Sequence, residues 1–105
     1  MVINLTGHEL ETKLSDTSGV SLLNFTASWC SPCKRLAPTV EKLSVEKNNI
    51  NFIKIDIDEE PRIASRYGVR SLPDLILVKD GKPVSHHAGN VSIDDIKSWL
   101  VLHGL

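Results

Sequence analysis

Cysteine is scarce in this chain, which has only two, Cys30 and Cys33, among its 105 residues. Two cysteines cannot form the set of disulfides that stabilises many small secreted domains. A chain of this length can bury a hydrophobic core without such crosslinks and without a structural metal. The composition therefore predicts a single globular domain over residues 1–105, and the close spacing of the cysteines calls for a chemical explanation.

An excess of one charge is also absent. The 12 Lys and Arg residues nearly balance the 13 Asp and Glu residues, for a formal net charge of -1 at pH 7. Nucleic acids and anionic lipid surfaces attract strongly basic domains, so we expect neither as a partner.

Long apolar runs are missing as well. No stretch approaches the roughly 20 apolar residues that cross a bilayer. The N-terminal segment MVINLTGHELETK has two acidic residues before its first lysine and no apolar middle, unlike a signal peptide. We therefore expect a cytoplasmic protein with no membrane association.

Strand and helix patterns alternate along the chain. The strands are predicted at 2–5, 20–26, 51–58, 74–79 and 83–88, and the helices at 6–14, 31–47, 59–67 and 92–103. The pair Asp80-Gly81 is typical of a tight hairpin between the last two strands. The order β-α-β-α-β-α-β-β-α predicts an α/β fold in which helices flank a parallel sheet extended by an antiparallel hairpin.

For two of these segments the sequence predicts more than the type of element. Pro38 should kink the helix at 31–47, whose apolar face is formed by Leu36, Val40, Leu43 and, as a further candidate, Val45. The strand at 51–58 alternates, with Ile53, Ile55 and Ile57 on one face and Lys54, Asp56 and Asp58 on the other.

The segment Cys30-Ser31-Pro32-Cys33 lies where a buried strand meets the first turn of a helix. The unpaired backbone N–H groups and dipole of a helix N-terminus stabilise an anion there. We therefore expect Cys30 to be the exposed thiolate nucleophile and Cys33, one turn deeper, to be its buried resolving partner. Pro32 suits the first helical turn, where its missing N–H costs nothing. The arrangement predicts dithiol–disulfide exchange.

A zinc site is the main alternative for these cysteines. Structural zinc needs four ligands, and the spacing of His8, His86, His87 and His103 does not supply them. We therefore expect no metal. His86 and His87 are adjacent in a strand and should point to opposite faces near the surface.

The hexapeptide Trp29-Cys30-Ser31-Pro32-Cys33-Lys34 resembles the active-site motif of the thioredoxin family. The resemblance extends over essentially the whole chain. It includes Phe25, Ala27, Pro38, Lys54, Asp58, the segment Gly68-Val69-Arg70-Ser71-Leu72-Pro73, and the later glycines Gly81 and Gly89. It implies a three-layer thioredoxin fold with a central mixed sheet.

The resemblance also implies an activity and its partners. The protein would be a protein-disulfide reductase that uses a reversible Cys30–Cys33 disulfide and no bound cofactor. Its electrons would come from NADPH through a flavoprotein thioredoxin reductase, and its substrates would be disulfide-containing proteins. Trp29, Leu72, a cis Pro73 and Gly89 would form the docking surface. We expect a monomer.

Four positions depart from the family's pattern. The family usually has aspartate at the position of Asn24, glycine at Ser31, a second aromatic residue at Thr26 and threonine at Asp74. Since Asn24 has no carboxylate to take the proton of Cys33, we hypothesise that water or Asp56, which shares a strand face with Lys54, does so instead. Ser31 would stabilise the Cys30 thiolate by a hydrogen bond, whereas Asp74 would destabilise it by repulsion.

Two other functions fit the same residues. One is a disulfide oxidase or isomerase, which would have a reduction potential well above that of cytosolic glutathione. The other is a non-catalytic binding module that uses the surface around Trp29 and Pro73. Such a module would keep its cellular function without either cysteine.

Overall fold

The computed structural model describes residues 1–16, 18–89 and 91–105. Its elements in chain order are β1 (Val2–Asn4), α1 (Gly7–Leu14), β2 (Val20–Thr26), α2 (Ser31–Glu46), β3 (Asn51–Asp56), α3 (Pro61–Arg66), β4 (Asp74–Lys79), β5 (Lys82–Ala88) and α4 (Ile93–Leu102). The strands form a sheet in the order β1-β3-β2-β4-β5. β3 runs parallel to β1 and β2, while β4 is antiparallel to both β2 and β5. The predicted element order and mixed sheet are confirmed.

Helices cover both faces of the sheet, so the structure has three layers. On one face α2 and α4 pack on the sheet through Leu36, Val40, Leu43, Ile96, Trp99 and Leu100. On the other face α1 and α3 pack through Leu10, Ile63 and Ala64. β2 and β4 lie in the middle of this arrangement and are buried on both sides, which explains their nearly continuous apolar sequences.

Local signals in the sequence account for two of the boundaries. Asp80 and Gly81 have φ angles of 51° and 80°, the left-handed conformations that a tight hairpin turn requires. At the start of α4, the Ser92 hydroxyl accepts a hydrogen bond from Asp95 N at 3.1 Å, while Ser92 N donates to the Asp95 carboxylate at 3.4 Å. This capping box is the one expected from the Ser-x-x-Asp sequence.

Two sequence-based placements are wrong. Val45 is 69% exposed, and its neighbour Ser44 takes the buried position because it follows Val40 by one helical turn. β3 ends at Asp56 rather than at 58, so Asp58 does not belong to the polar face of the strand. The strand ends there because Asp56 Oδ1 accepts a hydrogen bond from Asp58 N at 2.8 Å and turns the chain.

The topology brings four segments together at one end of the sheet. β2 enters the cysteine segment and α2, β3 ends beside it, and residues 67–73 lead into β4 on its other side. The carboxyl ends of parallel strands in an open α/β sheet are where such folds place their binding sites.

Candidate active site

Cys30 and Cys33 form a disulfide at the N-terminus of α2, with their Cα atoms 5.3 Å apart. Cys30 is the N-cap residue of the helix, and its Sγ accepts a hydrogen bond from Cys33 N at 3.3 Å. Pro32 lies in the first turn, where the missing N–H leaves no helical hydrogen bond unmade. A thiolate on Cys30 would therefore face a backbone N–H and the positive end of the helix dipole.

The expected exposure of Cys30 is wrong for this oxidised state. Cys30 is 5% exposed and Cys33 is 4% exposed. Both pack with Ala27, and the side chains of Ile57 and Leu72 cover them. Burial differs little between the two residues because the disulfide joins cysteines only three positions apart and both pack under the same apolar side chains.

The two cysteines nevertheless border different openings. Cys30 lines a groove of about 480 Å³, the Trp29 groove, whose other walls are Trp29, Ser31, Pro32, Ile57, Val69, Arg70, Ser71 and Leu72. Cys33 lines a smaller cleft of about 180 Å³, the Asn24 cleft, with Asn24, Thr26, Ala27, Ser28, Lys34, Ala37, Lys54 and Asp56. The disulfide thus separates a groove mostly lined with apolar side chains from a cleft with several polar ones.

Trp29 forms one wall of its groove and is 65% exposed, as expected for a tryptophan beside a reactive cysteine. Its indole Nε1 donates a hydrogen bond to Asp58 Oδ2 at 2.8 Å. Sequence reasoning missed this contact because it placed Asp58 on a strand face instead of in the turn after β3. Asp58 therefore orients the ring against the groove.

We expect Asp58→Ala to weaken the docking of protein substrates. A hydrogen bond to a charged acceptor at an exposed site is worth about 1 kcal/mol, which corresponds to a roughly fivefold rise in KM with little change in kcat. Steady-state reduction of a disulfide protein measures both constants. Glu59→Ala, which removes a carboxylate from the same turn, is the matched control. An equal rise in KM for Glu59→Ala would contradict a specific role for Asp58.

The other wall of the groove comes from the segment before β4. Leu72 lines the groove, and the Leu72–Pro73 peptide bond is cis, as the resemblance implied. Pro73 itself is buried, and its carbonyl oxygen accepts a hydrogen bond from Gly89 N at 2.9 Å. Gly89 therefore fixes the backbone behind Leu72 and does not line the groove. Val69 and Arg70 also line the groove, although sequence reasoning assigned them no role beyond their place in the segment before Pro73.

Asp74 lies just after this segment and is only 3% exposed. Its Oδ2 is 3.4 Å from His86 Nδ1 on β5, whereas its Oδ1 has no hydrogen-bond partner among the described residues. Burial raises the pKa of the Asp74 carboxyl, and His86 opposes that shift. The polar contact of Asp74 is thus to a histidine on the neighbouring strand, and it lines neither opening beside the cysteines.

Asn24 and Lys54 meet across the β2–β3 pair on the face that carries α2. Asn24 is 5% exposed, and its Oδ1 has no hydrogen-bond partner in the part of the chain that the structure describes. Lys54 is half-buried and lines the same cleft. The structure therefore brings these two predicted residues together beside Cys33.

His86 and His87 point to opposite faces of β5, as predicted. His86 approaches Asp74, while His87 stacks on Trp99 with ring centroids 5.2 Å apart. Within residues 1–16, 18–89 and 91–105, no three His, Cys, Asp or Glu side chains are arranged to hold a metal ion. Over the same residues, no helix is both long and apolar enough to cross a membrane.

The disulfide lies at the start of a helix and at the carboxyl end of a central strand. This arrangement is typical of proteins that catalyse dithiol–disulfide exchange. The thioredoxin family model matches residues 1–101. A thioredoxin of Chlamydia trachomatis is 43% identical over 89 residues, covering 85% of this chain and 87% of that protein. A thioredoxin of Staphylococcus aureus is 39% identical over 103 residues, covering 97% of both chains.

Solved structures agree with these relatives. A mutant thioredoxin from Halobacterium salinarum superposes with a TM-score of 0.83 at 36% identity and covers 93% of this chain and 86% of that one. A thioredoxin from Nicotiana alata gives 0.90 at 27% identity and covers 97% and 91%. The chain belongs to the thioredoxin family. It is a thiol–disulfide oxidoreductase, a protein-disulfide reductase that acts through its cysteine disulfide without a bound cofactor.

Proposed function

We propose that Cys30 attacks the disulfide of a target protein and that Cys33 then resolves the mixed disulfide. The separate openings carry this assignment, since Cys30 faces the groove large enough for a peptide and Cys33 faces the smaller cleft. The N–H of Cys33 directed at Cys30 Sγ supports the same order, because it stabilises a thiolate on Cys30.

The target would lie in the Trp29 groove. Trp29 and Leu72 supply apolar walls, and Pro73, held by Gly89, sets the backbone of Ser71 and Leu72. An extended peptide would pair with that backbone as an added strand, which brings its disulfide to Cys30. The apolar character of the walls favours targets whose disulfides are flanked by hydrophobic side chains.

Supporting roles are proposed for five further residues. Ser31 would donate its hydroxyl to the Cys30 thiolate, and Pro32 would limit the motion of the two cysteines. Asn24 and Lys54 would shape the surroundings of Cys33. Asp74 would act on the groove only through the backbone of Pro73, since its side chain faces His86.

We also propose the setting in which the protein works. The single domain over residues 1–105 would act as a cytoplasmic monomer, with thioredoxin reductase as its electron donor. NADPH would reach it only through that flavoprotein. Its substrates would be proteins with accessible disulfides.

The decisive test is insulin disulfide reduction with NADPH, in the presence and absence of a thioredoxin reductase. We expect reduction only with the reductase present, and a reduction potential below about -220 mV in a glutathione titration. A potential well above that value would favour the oxidase or isomerase instead. Absence of turnover, combined with retained cellular function in a Cys30→Ser, Cys33→Ser variant, would favour the binding module.

A further inference from the structure

The Asn24 cleft contains one buried polar atom, Asn24 Oδ1, that has no hydrogen-bond partner among the described residues. Asn24 and Thr26 on β2 stand directly beside Lys54 and Asp56 on β3, because the register pairs Asn24 with Lys54 and Thr26 with Asp56. Cys33 on α2 lines the same cleft. Cys33 therefore borders an opening that includes polar side chains, and not a sealed core.

The cleft has room and partners for water. Its volume of about 180 Å³ far exceeds the roughly 10–15 Å³ that one water molecule needs. The unpartnered, buried Oδ1 of Asn24 can accept a hydrogen bond from such a water, and the Thr26 hydroxyl offers a second site. A proton leaving Cys33 thus has a path that does not cross the Trp29 groove.

The chemistry of the cleft walls decides where that proton goes. The amide of Asn24 and the hydroxyls of Thr26 and Ser28 are not basic. The ammonium groups of Lys34 and Lys54 are donors without an acceptor site. Among the described residues that line the cleft, Asp56 alone carries a carboxylate. Hydrogen bonds from Asp58 N and Glu59 N to its Oδ1, at 2.8 and 3.4 Å, hold that carboxylate in place.

We propose that Asp56 accepts the proton of the Cys33 thiol through water in the Asn24 cleft. The S–H bond of Cys33 breaks, and the proton passes through water to the Asp56 carboxylate. The Cys33 thiolate then forms the S–S bond with Cys30, and the bond between Cys30 and the target sulfur breaks. The target leaves as a thiolate that takes a proton from solvent. This inference rests on the proposed resolving role of Cys33.

The test follows the attack by Cys30 and the resolution by Cys33 in a single turnover, with the symmetric disulfide of two thionitrobenzoate groups as the substrate. The first aromatic thiol is released when Cys30 attacks, and the second is released when Cys33 resolves the mixed disulfide. Near pH 7 we expect Asp56→Asn to slow the second release at least about tenfold, since a positioned base commonly contributes more than that. The first release should stay within about twofold, which also shows that the variant is folded.

Two further variants separate proton transfer from a structural effect. Glu59→Gln removes a charge next to Asp56 but outside the cleft, and it should leave both releases unchanged. Asn24→Asp, added to Asp56→Asn, places a carboxylate on the cleft wall beside Cys33 and should restore most of the second rate. In Asp56→Asn alone, the second rate should rise about tenfold per pH unit, since hydroxide becomes the base.

The possible outcomes test the role of Asp56 separately from the role of Cys30 as the nucleophile. A second release that is equally fast in Asp56→Asn and in the unmodified protein overturns the role of Asp56, and so does a failure of Asn24→Asp to restore it. A first release that survives in Cys30→Ser overturns the proposed nucleophile instead.

Discussion

Cys33→Ser turns the protein from a catalyst into a trap for its own substrates. Cys30 retains its place at the helix N-terminus and its opening to the Trp29 groove, so it still attacks a target disulfide. The serine hydroxyl is no nucleophile toward the resulting mixed disulfide. The target therefore remains covalently attached to Cys30, and turnover stops after one event.

Cys30→Ser should lose turnover as well, but we expect it to form no covalent adduct with the target. Cys33 does not line the Trp29 groove, so no target disulfide reaches it from that side. We expect insulin reduction to fall at least about 10³-fold in each variant, and the double variant to be no worse than either single one, because the residues act as a unit.

Mass spectrometry without reducing agents distinguishes the two variants. After incubation with a disulfide protein, Cys33→Ser should carry one target chain on each molecule, and the adduct should disappear on adding dithiothreitol. Cys30→Ser should carry none. Ser28→Ala, which changes a neighbouring hydroxyl and leaves both sulfurs, serves as the control for folding and handling. Adducts on Cys30→Ser but not on Cys33→Ser would reverse the assigned order of the cysteines.

The central part of the fold could be predicted from sequence because its signals are local. β2 and β4 are short apolar runs, and their observed bounds, Val20–Thr26 and Asp74–Lys79, equal the predicted ones. The capping residues of α4 and the turn at Asp80-Gly81 likewise depend on neighbours in the chain. Chemistry at Cys30 and Cys33 was predictable for the same reason, since strand, cysteines and helix follow one another directly.

Contacts between distant segments were not predictable in this way. The hydrogen bond of Trp29 to Asp58 joins residues 29 positions apart and depends on the exact residue where β3 ends. An alternating sequence continues to 58, whereas a side-chain hydrogen bond of Asp56 ends the strand two residues earlier. The burial of Cys30 depends on Ile57 and Leu72, which other elements bring to it.

The surroundings of Asp74 are a further case of this kind. The comparison with the family's pattern placed its carboxylate beside Cys30. In the structure it faces His86, which β5 brings alongside through its pairing with β4. The side chain direction could be inferred only with the strand register known, because a shift of one residue would reverse the face.

Asp74→Asn should make the protein more stable at neutral pH. The carboxylate is buried, with one oxygen unpartnered and the other 3.4 Å from His86. A buried charge with so little compensation costs more than a neutral amide of the same shape. We expect a gain of about 2 kcal/mol in the free energy of unfolding near pH 7.

The raised pKa of Asp74 determines how the stability gain of Asp74→Asn changes with pH. Burial raises the pKa of Asp74 above its ordinary value of 3.8, so the folded protein binds this proton more tightly than the unfolded chain does. The stabilising contribution of the protonated group is therefore complete below that ordinary pKa, and it is lost as the pH rises through the raised value. The advantage of Asp74→Asn should be small near pH 4 and should grow toward neutrality.

Urea unfolding at a series of pH values, with His86→Gln as a second variant, measures this advantage. His86 holds the pKa of Asp74 below the value that burial alone would give, so it offsets part of the cost of the buried charge. In the His86→Gln background, Asp74→Asn should therefore stabilise the protein by more than it does alone, a coupling that a double-mutant cycle isolates. If Asp74→Asn instead lowers stability at pH 7, the pairing with His86 outweighs the desolvation of the carboxylate. In that case the Asp74–His86 contact stabilises the junction between β4 and β5, next to the Gly89–Pro73 hydrogen bond that supports the Trp29 groove.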